Sequence, residues 1–136
     1  GNMVAVMDVP RAHTSRYGIV APSSDDGRLV GVKGLVEKPK MEDAPSTLAV
    51  IGRYILDSSV FGHLSSHHRG AGGEVQLTDA LAAMLGAMPF SGLRFEGRRF
   101  DCGDKVGFLE ANVAFALQRP DMAVDVRKFI STYAAQ

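Results

Sequence analysis

Apolar positions along this 136-residue chain change their spacing several times, and each change marks an element boundary. Met3 to Val9 is a near-continuous apolar run rich in valine and methionine, the pattern of a largely buried strand closed by Pro10. Ile19 to Ala21 predicts a short strand ending at Pro22. Ser23-Ser24-Asp25-Asp26-Gly27 has the composition of a turn, so Ile19-Val20 and Leu29-Val30-Gly31-Val32 predict a hairpin. Val32 to Glu37 continues as strand until Pro39 removes a backbone donor. Lys40 to Ser46 is a polar loop, and Leu48 to Leu56, β-branched and aromatic, predicts another buried strand.

Helical spacing then takes over. Asp57 or Ser58 caps a short helix with Val60, Phe61 and Leu64 on one face. Ser65 to Gly73 is a polar, glycine-rich loop. From Glu74, Leu77, Ala80, Leu81, Met84 and Leu85 fall on one helical face. Leu93 to Phe100 returns to strand, interrupted at Gly97. Asp104 caps a helix whose expected buried stripe is Val106, Leu109, Val113, Ala116 and Leu117. Pro120 stops it, and Asp121 to Tyr133 predicts a final helix. Strands alternating with helices give an α/β class. The opening strand has nothing ahead of it, which predicts a sheet with an exposed edge and self-association to cover it, or else aggregation.

Composition narrows the function classes. Lys plus Arg and Asp plus Glu balance at fifteen each, so no field favours nucleic acid or an anionic membrane. No apolar run approaches the roughly 20 residues of a membrane helix, and no secretion signal is visible. A single cysteine, Cys102, excludes an internal disulfide and fits a reducing cytoplasm.

Few residues carry candidate chemistry. In Lys33-Gly34-Leu35-Val36-Glu37-Lys38-Pro39, a carboxylate beside an ammonium at a strand end can hold a sugar phosphate. Pro39 biases Lys38 toward extended backbone. Adjacent strand residues face opposite ways, so both reach one ligand only if the strand ends or twists there. An ordinary solvated ion pair explains the same residues. Gly18 permits a close backbone approach to a ligand, or serves a tight turn. Asp101 stands at a strand-to-helix junction, where one carboxylate plus phosphates can hold magnesium. Asp104 is accounted for as a helix cap, which leaves Asp101 without an evident backbone task. Gly70-Ala71-Gly72-Gly73-Glu74 can present amides to an anion but lacks the lysine of a P-loop. His63, His67 and His68 lack partners at zinc-ligand spacing, and Cys102 lacks a paired base.

Taken in order, these segments resemble bacterial UTP–glucose-1-phosphate uridylyltransferases. The resemblance rests on Val9-Pro10, Ser15-Arg16-Tyr17-Gly18-Ile19-Val20, and Lys33 through Pro39. Ala44-Pro45-Ser46, Ala49 through Leu56, Gly70 through Ala80 and Phe95 through Lys105 complete it, from about Met3 to Pro120. It implies a nucleotidyltransferase fold, a Rossmann-like mixed sheet flanked by helices, with residues 3–136 as one C-terminal, sugar-phosphate-binding half. It implies attack of glucose 1-phosphate on UTP with magnesium, giving UDP-glucose and pyrophosphate; the single cysteine adds a cytoplasmic setting and the exposed edge a homo-oligomer. By position, Glu37 binds sugar hydroxyls, Lys38 the sugar-side phosphate, and Gly18 offers its amide. Val50 lines the hexose pocket and Asp101 holds the metal, so that Lys38 and Asp101 are the catalytic candidates. The family's glycine-rich Gly-Thr-Arg segment, which grips the triphosphate, does not occur in this sequence. Thymidylyl- and adenylyltransferases are the nearest rivals, and Asp101-Cys102-Gly103-Asp104-Lys105 favours the uridylyl group. The reading from another class is a catalytically silent sugar-phosphate-binding or assembly module.

Overall fold

Burial alternates along the opening strand β1 (Asn2–Asp8): Val4 and Val6 are fully buried, while Met3, Ala5 and Met7 are half-buried. The computed structural model describes residues 1–65 and 74–135. Four more strands follow: β2 (Gly18–Asp25), β3 (Leu29–Glu37), β4 (Leu48–Ile55) and β5 (Phe90–Arg94). The helices are α1 (Val60–Ser65), α2 (Leu77–Ala83), α3 (Lys105–Gln118) and α4 (Ala123–Ala134). A 3-10 turn over Arg11–Arg16 connects β1 to β2. The chain divides into two compact units, Gly1–Glu96 and Gly97–Gln136. His67, His68 and Gly70-Ala71-Gly72-Gly73 lie outside the described residues.

The strands form one mixed sheet. β1 pairs antiparallel with β4 and parallel with β5, and β2 pairs antiparallel with β3. β5 also pairs with β3, and β4 touches β2 through Ile19↔Ala49, so the order β1-β4-β2-β3-β5 closes on itself. Closure corrects the expected exposed edge: β1 is hydrogen-bonded on both sides, and a closed sheet has no free edge to cover. Val4, Val6, Val20, Val30, Val32, Leu35, Leu48 and Phe90 from the strands share one core with Val60 of α1 and Leu81 and Met84 of α2.

Two boundaries and one buried face differ from expectation. β2 runs through Pro22 to Asp25, because Pro22 sits at a register shift where the missing amide is tolerated. The last strand ends at Arg94 instead of running from Leu93 to Phe100, since Arg94 is drawn into a polar clamp. Within α3 the buried residues are Ala111 and Ala114, while the expected core residues Val106 and Leu109 are 72% and 64% exposed.

The clamp ties three strands together. Arg94 of β5 grips both oxygens of Asp25 at 2.6 and 2.8 Å and donates to Asp8 of β1 at 3.0 Å. Its backbone amide donates to the Arg28 carbonyl, closing β5 against the hairpin. Hydrogen bonds from Arg94, then from the Gly27 amide, hold the Asp25 carboxyl at about 2, below its ordinary value near 3.8. A depressed carboxyl contributes stability that is present above its unfolded value and lost as pH falls through the folded one. The stability difference between the parent and Asp25→Asn is therefore expected to persist above about pH 4. It should vanish as pH falls toward 2, the folded value of Asp25. Denaturant unfolding of both proteins across that range measures it, and a difference that does not change with pH contradicts it.

Candidate functional site

Glu37 is the last residue of β3 and Gly18 the first of β2, and they are register partners. Beyond that pair the chain leaves the sheet: the Lys38 amide donates to the Tyr17 carbonyl at 3.0 Å, and Lys38 has φ 45°. The extended backbone that Pro39 suggests for Lys38 is thus corrected. The bond to Tyr17 fixes a left-handed turn, a conformation costing a non-glycine residue about 1–2 kcal/mol. Such strain persists where surrounding structure over-determines it, often at functional sites. Its consequence is geometric. Strand alternation stops at Glu37, and the Lys38 ammonium comes within 3.5 Å of the neighbouring carboxylate.

The two groups differ in access. The Glu37 side chain is 12% exposed and that of Lys38 is 55% exposed. A half-exposed ion pair contributes little to stability, so the ammonium can exchange its partner for an incoming anion. Glu37 is held from the other side, where the Thr78 hydroxyl donates to Oε2. Thr78 is the second residue of α2. Gly18 makes room for this bond: a Cβ there would lie 3.0 Å from Thr78 Oγ1 and 3.2 Å from Glu37 Oε2. Burial, with the Glu37 charge as the second cause, raises the pKa of the Tyr54 hydroxyl on β4 above its ordinary value. Val50 is half-buried on the same strand and packs against the main core.

Asp101 belongs to the other unit. Asp104 caps α3 by accepting the Gly107 amide at 2.9 Å, as the sequence predicts. Asp101, however, does have a backbone task. Its Oδ1 accepts the Gly103 amide at 3.2 Å, its carbonyl accepts the Asp104 amide at 3.1 Å, and Oδ2 lies 3.5 Å from Arg99. The side chain is nonetheless half exposed and keeps acceptor capacity. Neighbouring Cys102 is exposed. Among the described residues, no group of three or more His, Cys, Asp or Glu could hold a metal.

Residues 1–118 match the nucleotidyl transferase family. The chain belongs to that family. Among individual proteins it is similar to the UTP–glucose-1-phosphate uridylyltransferase of Komagataeibacter xylinus, with 59% identity over 106 residues. That match covers 78% of this chain and 37% of the relative. Its fold is similar to a UDP-glucose pyrophosphorylase complexed with UDP-glucose, at TM-score 0.81 and 39% identity, covering 87% of this chain and 45% of that one. A UTP-bound enzyme of the same kind from Acinetobacter baumannii gives TM-score 0.80 and 33% identity, covering 96% and 45%. This nucleotidyl transferase chain therefore spans less than half the length of these relatives.

Within this nucleotidyl transferase, the sequence-predicted residues Gly18, Glu37 and Lys38 meet in space. Val50 is placed against the core, and Asp101 sits among its own neighbours in the second unit. Thr78 and Tyr54 lie in segments that carry the resemblance, yet the sequence assigns neither a role. Thr78 looks like any polar residue opening a helix, and Tyr54 like any aromatic in a strand. Only the register that sets Gly18 against Glu37 shows what Thr78 touches.

Proposed function

We propose that this chain supplies the C-terminal, sugar-phosphate-binding portion of a UTP–glucose-1-phosphate uridylyltransferase. The observation that carries this reading is the Glu37–Lys38 pair, turned out of the end of β3 by the left-handed Lys38. A shielded acceptor beside an accessible cation suits a ligand that joins hydroxyls to a phosphate. Glu37 accepts hydrogen bonds from hexose hydroxyls, Lys38 neutralises the adjoining phosphate, Gly18 offers its backbone amide, and Val50 borders the hexose. In the complete reaction a phosphate oxygen of glucose 1-phosphate attacks the α-phosphorus of UTP. The bond to the β-phosphate breaks and pyrophosphate leaves. Lys38 acts by placing a fixed positive charge beside the attacking phosphate, and no covalent enzyme intermediate is needed.

Magnesium is the cation of this reading. Asp101 offers one exposed carboxylate with spare lone pairs, which fits an ion that takes its other ligands from phosphates and water. Bound there, the ion would supply neutralisation of phosphate charge. The proposed setting is cytoplasmic, and among the described residues no helix is long and apolar enough to cross a membrane. Self-association is also proposed. With the strand edges paired, the surface that supports it is the set of exposed apolar side chains on α3, including Phe108 and Phe115.

Complementation tests the enzyme reading. UTP, glucose 1-phosphate and magnesium are supplied to this chain alone, and to this chain mixed with the portion its relatives carry in addition. UDP-glucose is expected only in the mixture, because the Gly-Thr-Arg segment expected to grip the triphosphate is not in this sequence. Turnover by the chain alone contradicts the division of labour. No turnover from a folded, associated mixture favours a silent binding module.

A further inference from the structure

Three elements converge on the Glu37 carboxylate, and only two of them enter the proposed ligand contacts. The third is α2, whose Thr78 hydroxyl donates to Oε2. A carboxylate has two oxygens and about four acceptor positions. Here Oε2 is engaged by Thr78, while Oε1 faces Lys38 at 3.5 Å. Without the threonine, Glu37 could rotate about its side-chain torsions and fold onto the lysine. That would turn its free oxygen away from a sugar hydroxyl while leaving the exposed Lys38 ammonium able to meet a phosphate. With the threonine, one oxygen is anchored and the other is aimed.

The surroundings support a selected contact. The Glu37 side chain is only 12% exposed, so water competes poorly for Oε2 and the hydrogen bond has a measurable effect. Gly18, on the paired strand, lacks the side chain that would otherwise press on both partners: a Cβ there would stand 3.0 and 3.2 Å from the two bonded oxygens. Thr78 lies inside α2, one residue past its start, and its hydroxyl is directed to Glu37.

We infer that Thr78 is a positioning residue: by holding Oε2 it orients Glu37 so that the carboxylate receives sugar hydroxyls. This inference rests on the sugar-phosphate reading above. It makes a prediction that the reading alone does not. Loss of the Thr78 hydroxyl should weaken the sugar contact selectively and leave the phosphate contact of Lys38 intact.

The test uses the 136-residue chain and two probes, glucose 1-phosphate and inorganic phosphate, each titrated by calorimetry or NMR. Thr78→Val keeps the shape and removes the donor. It is expected to weaken glucose 1-phosphate binding about tenfold, the low end for a hydrogen bond to a charged group. Phosphate binding is expected to stay within about twofold of the parent, because Thr78 bonds Glu37 and the substitution leaves the exposed Lys38 ammonium unchanged. Thr78→Ser restores the hydroxyl and should recover most of the lost affinity. A merely structural threonine would show equal losses for both probes, or no rescue by serine. Either result overturns the inference, as does a Thr78→Val protein that binds both probes like the parent. If the parent binds phosphate but gains nothing from the sugar, the underlying sugar-phosphate reading fails, and the inference fails with it. If Thr78→Val does not fold, Thr78→Ser and Thr78→Ala carry the same comparison.

Discussion

Lys38→Ala, in an enzyme completed with the portion its relatives carry, is expected to lower turnover by roughly 100- to 1,000-fold. Removing one preorganised charge-stabilising group typically costs about 2.7–4 kcal/mol at the transition state. Stability should hardly change, for two reasons visible in the structure. The ammonium is 55% exposed and its ion pair with Glu37 is 3.5 Å long, so the pair adds little to the fold. The bond that shapes the turn comes from the Lys38 backbone amide to Tyr17, and alanine retains it. Lys38→Gly sharpens the comparison. Glycine adopts positive φ without penalty, so it should equal or exceed the parent in melting temperature while losing the same activity. Steady-state kinetics and thermal melts on the three proteins check this. Full activity in folded Lys38→Ala would return the lysine to an ordinary solvated charge.

The second large effect is structural and lies in the other unit. Gly107 sits in the first turn of α3, directly over the Asp101 backbone. A Cβ there would stand 2.3 Å from the Asp101 carbonyl oxygen and 3.1 Å from its carbonyl carbon. Both are main-chain atoms, which cannot turn aside as the end of a flexible side chain can. Gly107→Ala should therefore destabilise the unit by about 1–3 kcal/mol, the usual range for forced overpacking. The loss should be larger if the cap from Asp104 to the Gly107 amide is strained at the same time. Gly62→Ala in α1 is the control: a Cβ there meets nothing within 4 Å, and alanine is the better helix former by up to about 1 kcal/mol. Denaturant midpoints with far-UV circular dichroism should drop for the first variant and hold or rise for the second. Equal behaviour of the two would mean that the junction around Asp101 relaxes freely.

Much of the fold was legible because local chemistry dictated it. β1, β3 and β4 follow runs of β-branched residues, and the turn after Asp25 uses the side chains its composition suggests. Asp25 accepts the Gly27 amide, and Asp26 accepts those of Arg28 and Leu29. Asp104 caps α3 as its position promised. What depends on partners far away in sequence was not legible. Sheet closure requires β5 to reach both β1 and β3, and no local pattern encodes that register. The apolar residues of Phe95 through Phe100 look strand-like, yet pairing stops where Arg94 meets Asp8 and Asp25. Apolar residues fall on most sides of α3, so the expected stripe did not single out its packed face; in its unit α3 packs with α4 while its larger side chains stay exposed. At the site, residue identities pointed to Glu37 and Lys38. The sequence could not show that Lys38 takes a left-handed turn against the bias of Pro39, or that Thr78 arrives from a separate helix.

The central claim is that this chain holds a sugar phosphate at the end of β3. Residue-resolved NMR during a glucose 1-phosphate titration of the isolated chain tests it most directly. Saturable shifts are predicted at Gly18, Glu37, Lys38 and Thr78, abolished in Lys38→Ala, with the Asp25–Arg94 clamp undisturbed. Saturation without shifts at those four residues, or no binding by a folded chain, would contradict the account.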